Sequence, residues 1–209
     1  MAGRSRDVDK RRVILDAAIR VFARKGFNQC RVSDVADEAG VAYGLVYHYF
    51  DSKEEILDTL FTERWQLMLD AITEIDSQSV PARDKLYAVA GFIIDSYRNE
   101  PELMKVIIVE VTRAANSFGA LHLGKIREAY GGIAEIVEGG RRGGELKETI
   151  SADFAAMCFY GAIEQLPSAW IFDLLPQTEA EFERAKGLVV EAICDGLALP
   201  VAERPGVSG

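Results

Sequence analysis

The side chains with the clearest chemical purpose in this sequence stand close together. Ser33, Tyr43, Tyr47, His48 and Lys53 share one short stretch whose apolar positions read as two small helices. Hydroxyls, an imidazole and an ammonium beside a helix N-terminus are groups that hold a nucleic-acid backbone. Catalysis finds no comparable set. The two histidines, His48 and His122, are distant in sequence, and no glycine-rich phosphate loop follows a strand. No His/Cys/Asp cluster has metal-ligand spacing, and Gly161 has no nucleophile elbow around it. Carboxylates are plentiful, but on polar helix faces their ordinary role is solvated surface. The expectation is a protein with no catalytic residues, no metal and no cofactor.

The elements that must position these groups are helices throughout. Val13, Ile14, Ala17, Ala18, Val21 and Phe22 lay one stripe along a first helix, and Gly26 falls where a left-handed cap belongs. Asp34 to Ala39 forms a short helix stopped by Gly40, and Tyr43 to Phe50 forms another. Val35, Ala36 and Ala39 face inward, small Ala36 permits close approach, and Val41 and Val46 plug the gap. Two short helices around a Gly-containing turn, behind a longer one, make a helix-turn-helix; an ordinary helical hairpin would share the apolar pattern.

Ser52 and Glu55 open a long helix to about Ile75. Pro81 begins the next, with Leu86, Val89, Ala90, Ile93 and Tyr97 on one face, and Pro101 the one after, apolar around most of Leu103 to Val111. Leu121 to Val137 follows, ended by the break from Gly139 to Gly144. Ser151 caps a helix through Phe172 that Pro167 should kink, and Thr178 with Glu181 caps the last, stopped by Gly196. The fold class is all-α with about nine helices and no credible strand. The expected division is a three-helix DNA-binding domain over 1–51, a larger ligand-binding and dimerisation domain over 52–199, and a disordered tail over 200–209.

Composition bounds the rest. Of 209 residues, 49% are hydrophobic and 27% charged, as in globular domains. No apolar run approaches the roughly 20 residues of a membrane span, and Met1 to Lys10 lacks a secretory pattern. Three scattered cysteines, Cys30, Cys158 and Cys194, suit neither a disulfide framework nor zinc, so a reducing cytoplasm is expected. Net charge is −9, yet Met1 to Lys53 carries ten Lys/Arg against seven Asp/Glu, and the remainder fourteen against twenty-six. That asymmetry suits a basic contact surface on an acidic body. Lys10, Arg11 and Arg12 read equally as solvated surface or as an arm following a DNA backbone.

Val13 to Leu57 resembles the DNA-binding domain of the TetR family of transcriptional repressors. The matching residues are Ala17 to Phe22, Gly26-Phe27, Val35 to Val41, Gly44, Tyr47 to Phe50 and Ser52-Lys53-Glu54. The resemblance implies a homodimer on a palindromic double-stranded operator, each protomer placing the helix around Tyr43 to Tyr49 in a major groove. It implies that Tyr47, His48 and Lys53 bind phosphates while Ala42, Tyr43, Gly44 and Leu45 face base edges, with Leu45 available to a thymine methyl. Two positions depart from the family pattern. Arg31 stands where Ser or Thr usually caps the helix and is a candidate phosphate contact instead, and Leu45 stands where Thr is common.

For the remainder, the resemblance implies dimerisation through the last two long helices, carrying Phe159, Ile163, Leu166, Trp170, Leu188, Val189 and Ile193, two copies forming a four-helix bundle, though the same residues could simply close a monomer core. Phe92, Tyr97, Met104, Ile107, Ile108, Val111 and Tyr130 are candidate pocket walls, though such a stripe is also what a plain core presents. Arg113 and Asn116 are the polar candidates for an anionic ligand. Val137-Glu138-Gly139, Gly144-Glu145-Leu146-Lys147, Gly161 to Glu164 and Trp170 are similar to the fatty-acid-degradation regulators, which release DNA on binding long-chain acyl-CoA. On charge grounds Arg113, Arg141 and Arg142 suit its phosphorylated head. The alternative is an all-helical small-molecule binder or interaction module without DNA binding.

Overall fold

A computed structural model describes residues 2–111, 119–147 and 150–195, with side chains over 10–109, 123–147 and 150–195. Among these residues lie nine α-helices: α1 (Ala2–Lys25), α2 (Val32–Ala39), α3 (Tyr43–Tyr49), α4 (Lys53–Asp76), α5 (Ala82–Asn99), α6 (Pro101–Val106), α7 (Gly119–Arg142), α8 (Ala152–Ile171) and α9 (Glu179–Cys194). A 3-10 turn, Phe27–Gln29, follows α1, and α6 passes into a π-helical turn, Ile107–Val111. No strand occurs among the described residues.

Local chemistry explains the helix ends. Ser52 Oγ accepts from the Glu55 N–H at 3.1 Å while Glu55 Oε2 accepts from the Asp51 N–H at 2.5 Å, so α4 opens on a reciprocal cap. Ser151 and Thr178 cap α8 and α9 in the same way, accepting from Phe154 and Glu181. Arg31 has no lone pair to offer at the head of α2. There Asp34 supplies half of a box alone, its Oδ2 accepting from the Arg31 N–H at 2.8 Å. Gly40, at φ 65°, closes α2 in the left-handed conformation that a glycine adopts without strain.

Several expected boundaries shift. α1 begins at Ala2, so Lys10, Arg11 and Arg12 lie within a helix. Arg11 pairs with Glu63 of α4 at 2.8 Å, and Arg12 with Asp16 at 2.9 Å. α7 continues through Gly139 and Gly140 to Arg142, and Gly140 is a place of close approach: a Cβ there would lie 2.5 Å from that of Ala82. The turn after it reaches back to α5, where Glu145 Oε2 accepts from the Ala82 N–H at 2.6 Å. Pro167 sits buried inside α8, where its missing N–H costs the Ile163 carbonyl its usual partner. Gly196 and the 200–209 tail lie outside the described residues.

α1 to α3 form the N-terminal unit, and α5 to α9 pack around the distal half of α4, which belongs to both. The core is one continuous apolar cluster running from Ile14 and Phe22 through Phe61 and Trp65 to Phe159 and Trp170. Each large side chain so buried favours folding by about 1.5–3 kcal/mol. At the far end, Lys186 is 6% exposed and pairs with Asp95 at 2.9 Å and Glu183 at 2.6 Å, which ties α9 to α5.

Candidate nucleic-acid interface and ligand chamber

α3 is held from behind and bare in front. Val46 is fully buried and Phe50 nearly so, while Ala42, Tyr43, Gly44, Tyr47 and His48 are exposed and Leu45 is half-buried. The Tyr43 and Tyr47 hydroxyls lie 3.1 Å apart and their rings meet edge to face at 5.0 Å. That hydrogen bond raises the Tyr47 pKa. Nothing within 4 Å opposes a Cβ at Gly44, so the protomer itself does not require a glycine there.

α2 is braced against α1 by charge. Arg20 and Arg24 hold the Glu38 carboxylate at 2.8 and 2.9 Å, and Lys25 holds Asp34 at 2.8 Å. These bonds, to Arg24 and Arg20 for Glu38 and to Lys25 for Asp34, draw both carboxyl pKa values below their ordinary range. Ser33 lies half-buried in the first turn of α2, and Arg31 is exposed, its guanidinium with no carboxylate within 4 Å among the described residues.

Lys53 is placed differently from the expectation of a free phosphate ligand. Its Nζ donates to the Phe27 and Cys30 carbonyls at 2.9 and 3.3 Å and sits 4.5 Å over the Phe27 ring. Two of its three donors are spent tying the 3-10 turn to the head of α4.

The expected chamber residues divide. Met104 and Ile107 are buried, and Phe92, Ile108 and Tyr130 are half-buried. Tyr130 meets Tyr160 edge to face at 5.2 Å, and Tyr160 in turn lies 6.1 Å from Trp65. Tyr97 belongs to a second aromatic cluster: it stacks on Trp170 at 5.4 Å and its hydroxyl donates to Gln177 Oε1 at 3.0 Å. Arg113 and Asn116 lie outside the described residues, as does the side chain of Val111. Arg141 is committed elsewhere, donating to the Ile150 carbonyl and pairing with Glu138, and Arg142 is exposed at the end of α7. Sequence reasoning missed Arg64, whose guanidinium lies 4.9 Å over the Phe92 ring.

Of the residues expected to dimerise, Phe159, Ile163 and Trp170 are wholly buried within the protomer and Val189 is 8% exposed, so they close the core rather than offer a surface. Leu166 and Ile193 are half-buried; Leu188 is 53% exposed. Phe154 and Met157 lie bare on the other side of α8, at 54% and 55%, beside exposed Cys158 and Ala162.

Among the described residues no helix is long and apolar enough to cross a membrane, and no three His, Cys, Asp or Glu side chains converge on a metal position.

Residues 14–60 match the model of the bacterial regulatory proteins of the tetR family. The fatty acid metabolism regulator protein of Bacillus subtilis is 30% identical over 164 residues, covering 77% of this chain and 82% of that protein. The crystal structure of the transcriptional regulator FadR from Bacillus subtilis in complex with stearoyl-CoA superposes with a TM-score of 0.74 at 26% identity, over 89% of this chain and 98% of that one. The fatty acid degradation regulator FadR from Bacillus halodurans shares the fold with a TM-score of 0.79 at 23% identity, over 91% and 97%. An exposed α3 on a braced helix-turn-helix, joined to a larger helical body and matched along most of its length, settles the assignment: the chain belongs to the TetR family of bacterial regulatory proteins.

Proposed function

We propose that this protein is a transcriptional repressor that binds a two-fold operator as a homodimer and leaves it when a long-chain acyl-CoA occupies the helical body. Tyr43, Gly44 and Leu45 of α3, with Ala42 at its head, address base edges in the major groove. Tyr47, His48, Arg31 and Ser33 hold the flanking phosphates, and Lys53 stiffens the frame that presents them. Dimer contact uses the bare apolar side of α8, Phe154 and Met157, with Leu188 and Ile193 of α9, rather than the buried stripe.

The observation that carries the ligand class is the match, over 98% of its length, to a regulator whose crystal structure holds stearoyl-CoA. Phe92, Ile108, Tyr130 and Tyr160, packed within and against the core, are the side chains that would border the acyl chain. Ligand lowers operator affinity only as far as it prefers a dimer geometry that the operator does not.

Fluorescence anisotropy on a duplex from upstream of the protein's own gene tests this. Stearoyl-CoA at micromolar concentration should weaken operator binding by at least tenfold while free coenzyme A leaves it unchanged. Operator affinity indifferent to stearoyl-CoA would refute the effector; no binding to the duplex in its absence would refute the repressor.

A further inference from the structure

Among the described residues the cations are nearly all paired or in open solvent. Arg11, Arg12, Arg20, Arg24, Arg83, Arg98, Arg141 and Arg184 each have a carboxylate within 4 Å. Of the other arginines with described side chains, Arg31, Arg127 and Arg142 are exposed. Arg64 is the exception. It is half-buried in the body, and among the described residues no hydrogen bond or ion pair engages any of its guanidinium donors.

A guanidinium carries five N–H donors, and none of the Arg64 nitrogens is sealed from solvent, so they stay open to an incoming acceptor. Its surroundings leave them uncommitted. Phe92 lies beneath it at 4.9 Å, a cation–π contact that supplies one face and leaves the in-plane donors free. Burial holds its pKa below the ordinary guanidinium value, with Glu100 and Tyr160 opposing that shift only from a distance. Tyr160, almost fully buried, and Tyr130 against it both have hydroxyls with no protein hydrogen-bond partner among the described residues. Three side chains from α4, α7 and α8 therefore bring unspent donors to one aromatic-walled region.

We infer that Arg64 is the cationic anchor of the ligand chamber, gripping the oxyanion head of an amphipathic acyl ligand whose chain lies against Phe92, Tyr130 and Tyr160. This rests on the acyl-ligand reading above and names the residue that discriminates a charged head from a bare chain. Two sources share that chemistry, the phosphates of an acyl-CoA and the carboxylate of a free fatty acid. Arginine suits either, since its planar fork meets two oxygens at once.

Calorimetric titration of the full-length dimer with stearoyl-CoA, stearate and stearyl alcohol tests the assignment, comparing wild type with Arg64→Met and Arg64→Lys. Arg64→Met should weaken the anionic ligand at least tenfold and leave stearyl alcohol within twofold, with Arg64→Lys recovering part of the loss. Loss confined to stearoyl-CoA identifies a phosphate as the partner; loss confined to stearate identifies a carboxylate. Either supports the anchor. Wild-type affinity for both anions in Arg64→Met would overturn it, as would an equal loss for all three ligands, which is the mark of a packing role. Should wild type itself bind neither anion, the acyl-ligand reading fails and the anchor with it.

Discussion

Tyr43 and Tyr47 share one hydrogen bond at the outer edge of α3, at 3.1 Å. Of their two hydroxyl protons one serves that bond, and the other remains for an acceptor outside the protein. Tyr47→Phe removes the free donor without touching the core, and a hydrogen bond to a charged phosphate is worth about 1.5–3 kcal/mol. Operator affinity should fall on the order of tenfold or more, equally for specific and unrelated duplexes, in an anisotropy titration at fixed salt. Tyr43→Ala should instead reorder base preference across a panel of operators. The residue types of this face were legible because they are polar or small beside a buried Val46. The role of Lys53 was not, since its target is a pair of backbone carbonyls that no side-chain pattern records. Gly140 was legible only as a glycine. Its meaning is the 2.5 Å approach of Ala82 from another helix, so Gly140→Ala should destabilise by about 1–3 kcal/mol in thermal unfolding, because the Ala82 Cβ cannot move without α5.

At the scale of elements, the N-terminal unit depends on carboxylates held ionised. Asp34 and Glu38 have folded pKa values below their unfolded ones, so the stability they lend to the α1–α2 pair is present above the unfolded values. It is lost as pH falls through the depressed folded ones. Hydrogen exchange should show protection of α2 amides declining through the acidic carboxylate range, and Glu38→Gln should remove part of that dependence. α8 shows where reading elements from sequence stops. Its apolar residues surround the helix, so periodicity located the helix and its Ser151 cap but could not say which stripe enters the core and which stays bare. Packing decides: Phe159, Ile163 and Trp170 face inward, Phe154 and Met157 outward. α4 has a comparable double nature. Glu63 grips Arg11 of α1, and the next residue, Arg64, lies over Phe92 in the body. Arg11 also sits 5.3 Å over the ring of Phe50, where α3 ends. A ligand that draws on Arg64 thus acts beside the ion pair that holds the DNA-reading unit.

For the whole molecule, function requires two copies. Phe154→Glu places a charge in the bare apolar stripe of α8 and should convert the dimer to monomer in sedimentation velocity at micromolar concentration. Operator affinity should fall with it, because one protomer reaches one half-site. Dimerisation through other surfaces would leave that variant dimeric. The proposed release is geometric: the two α3 helices would fit successive major grooves only near the roughly 34–36 Å of one helical turn, and a bound ligand would favour another spacing. Pulsed dipolar spectroscopy between labels on the two copies of α3 measures that spacing directly, in the free dimer and with stearoyl-CoA. The account predicts a distribution near the half-site distance when free and one displaced by several ångströms when the ligand is bound. Superimposable distributions, in a sample whose operator affinity nonetheless collapses on adding stearoyl-CoA, would contradict it.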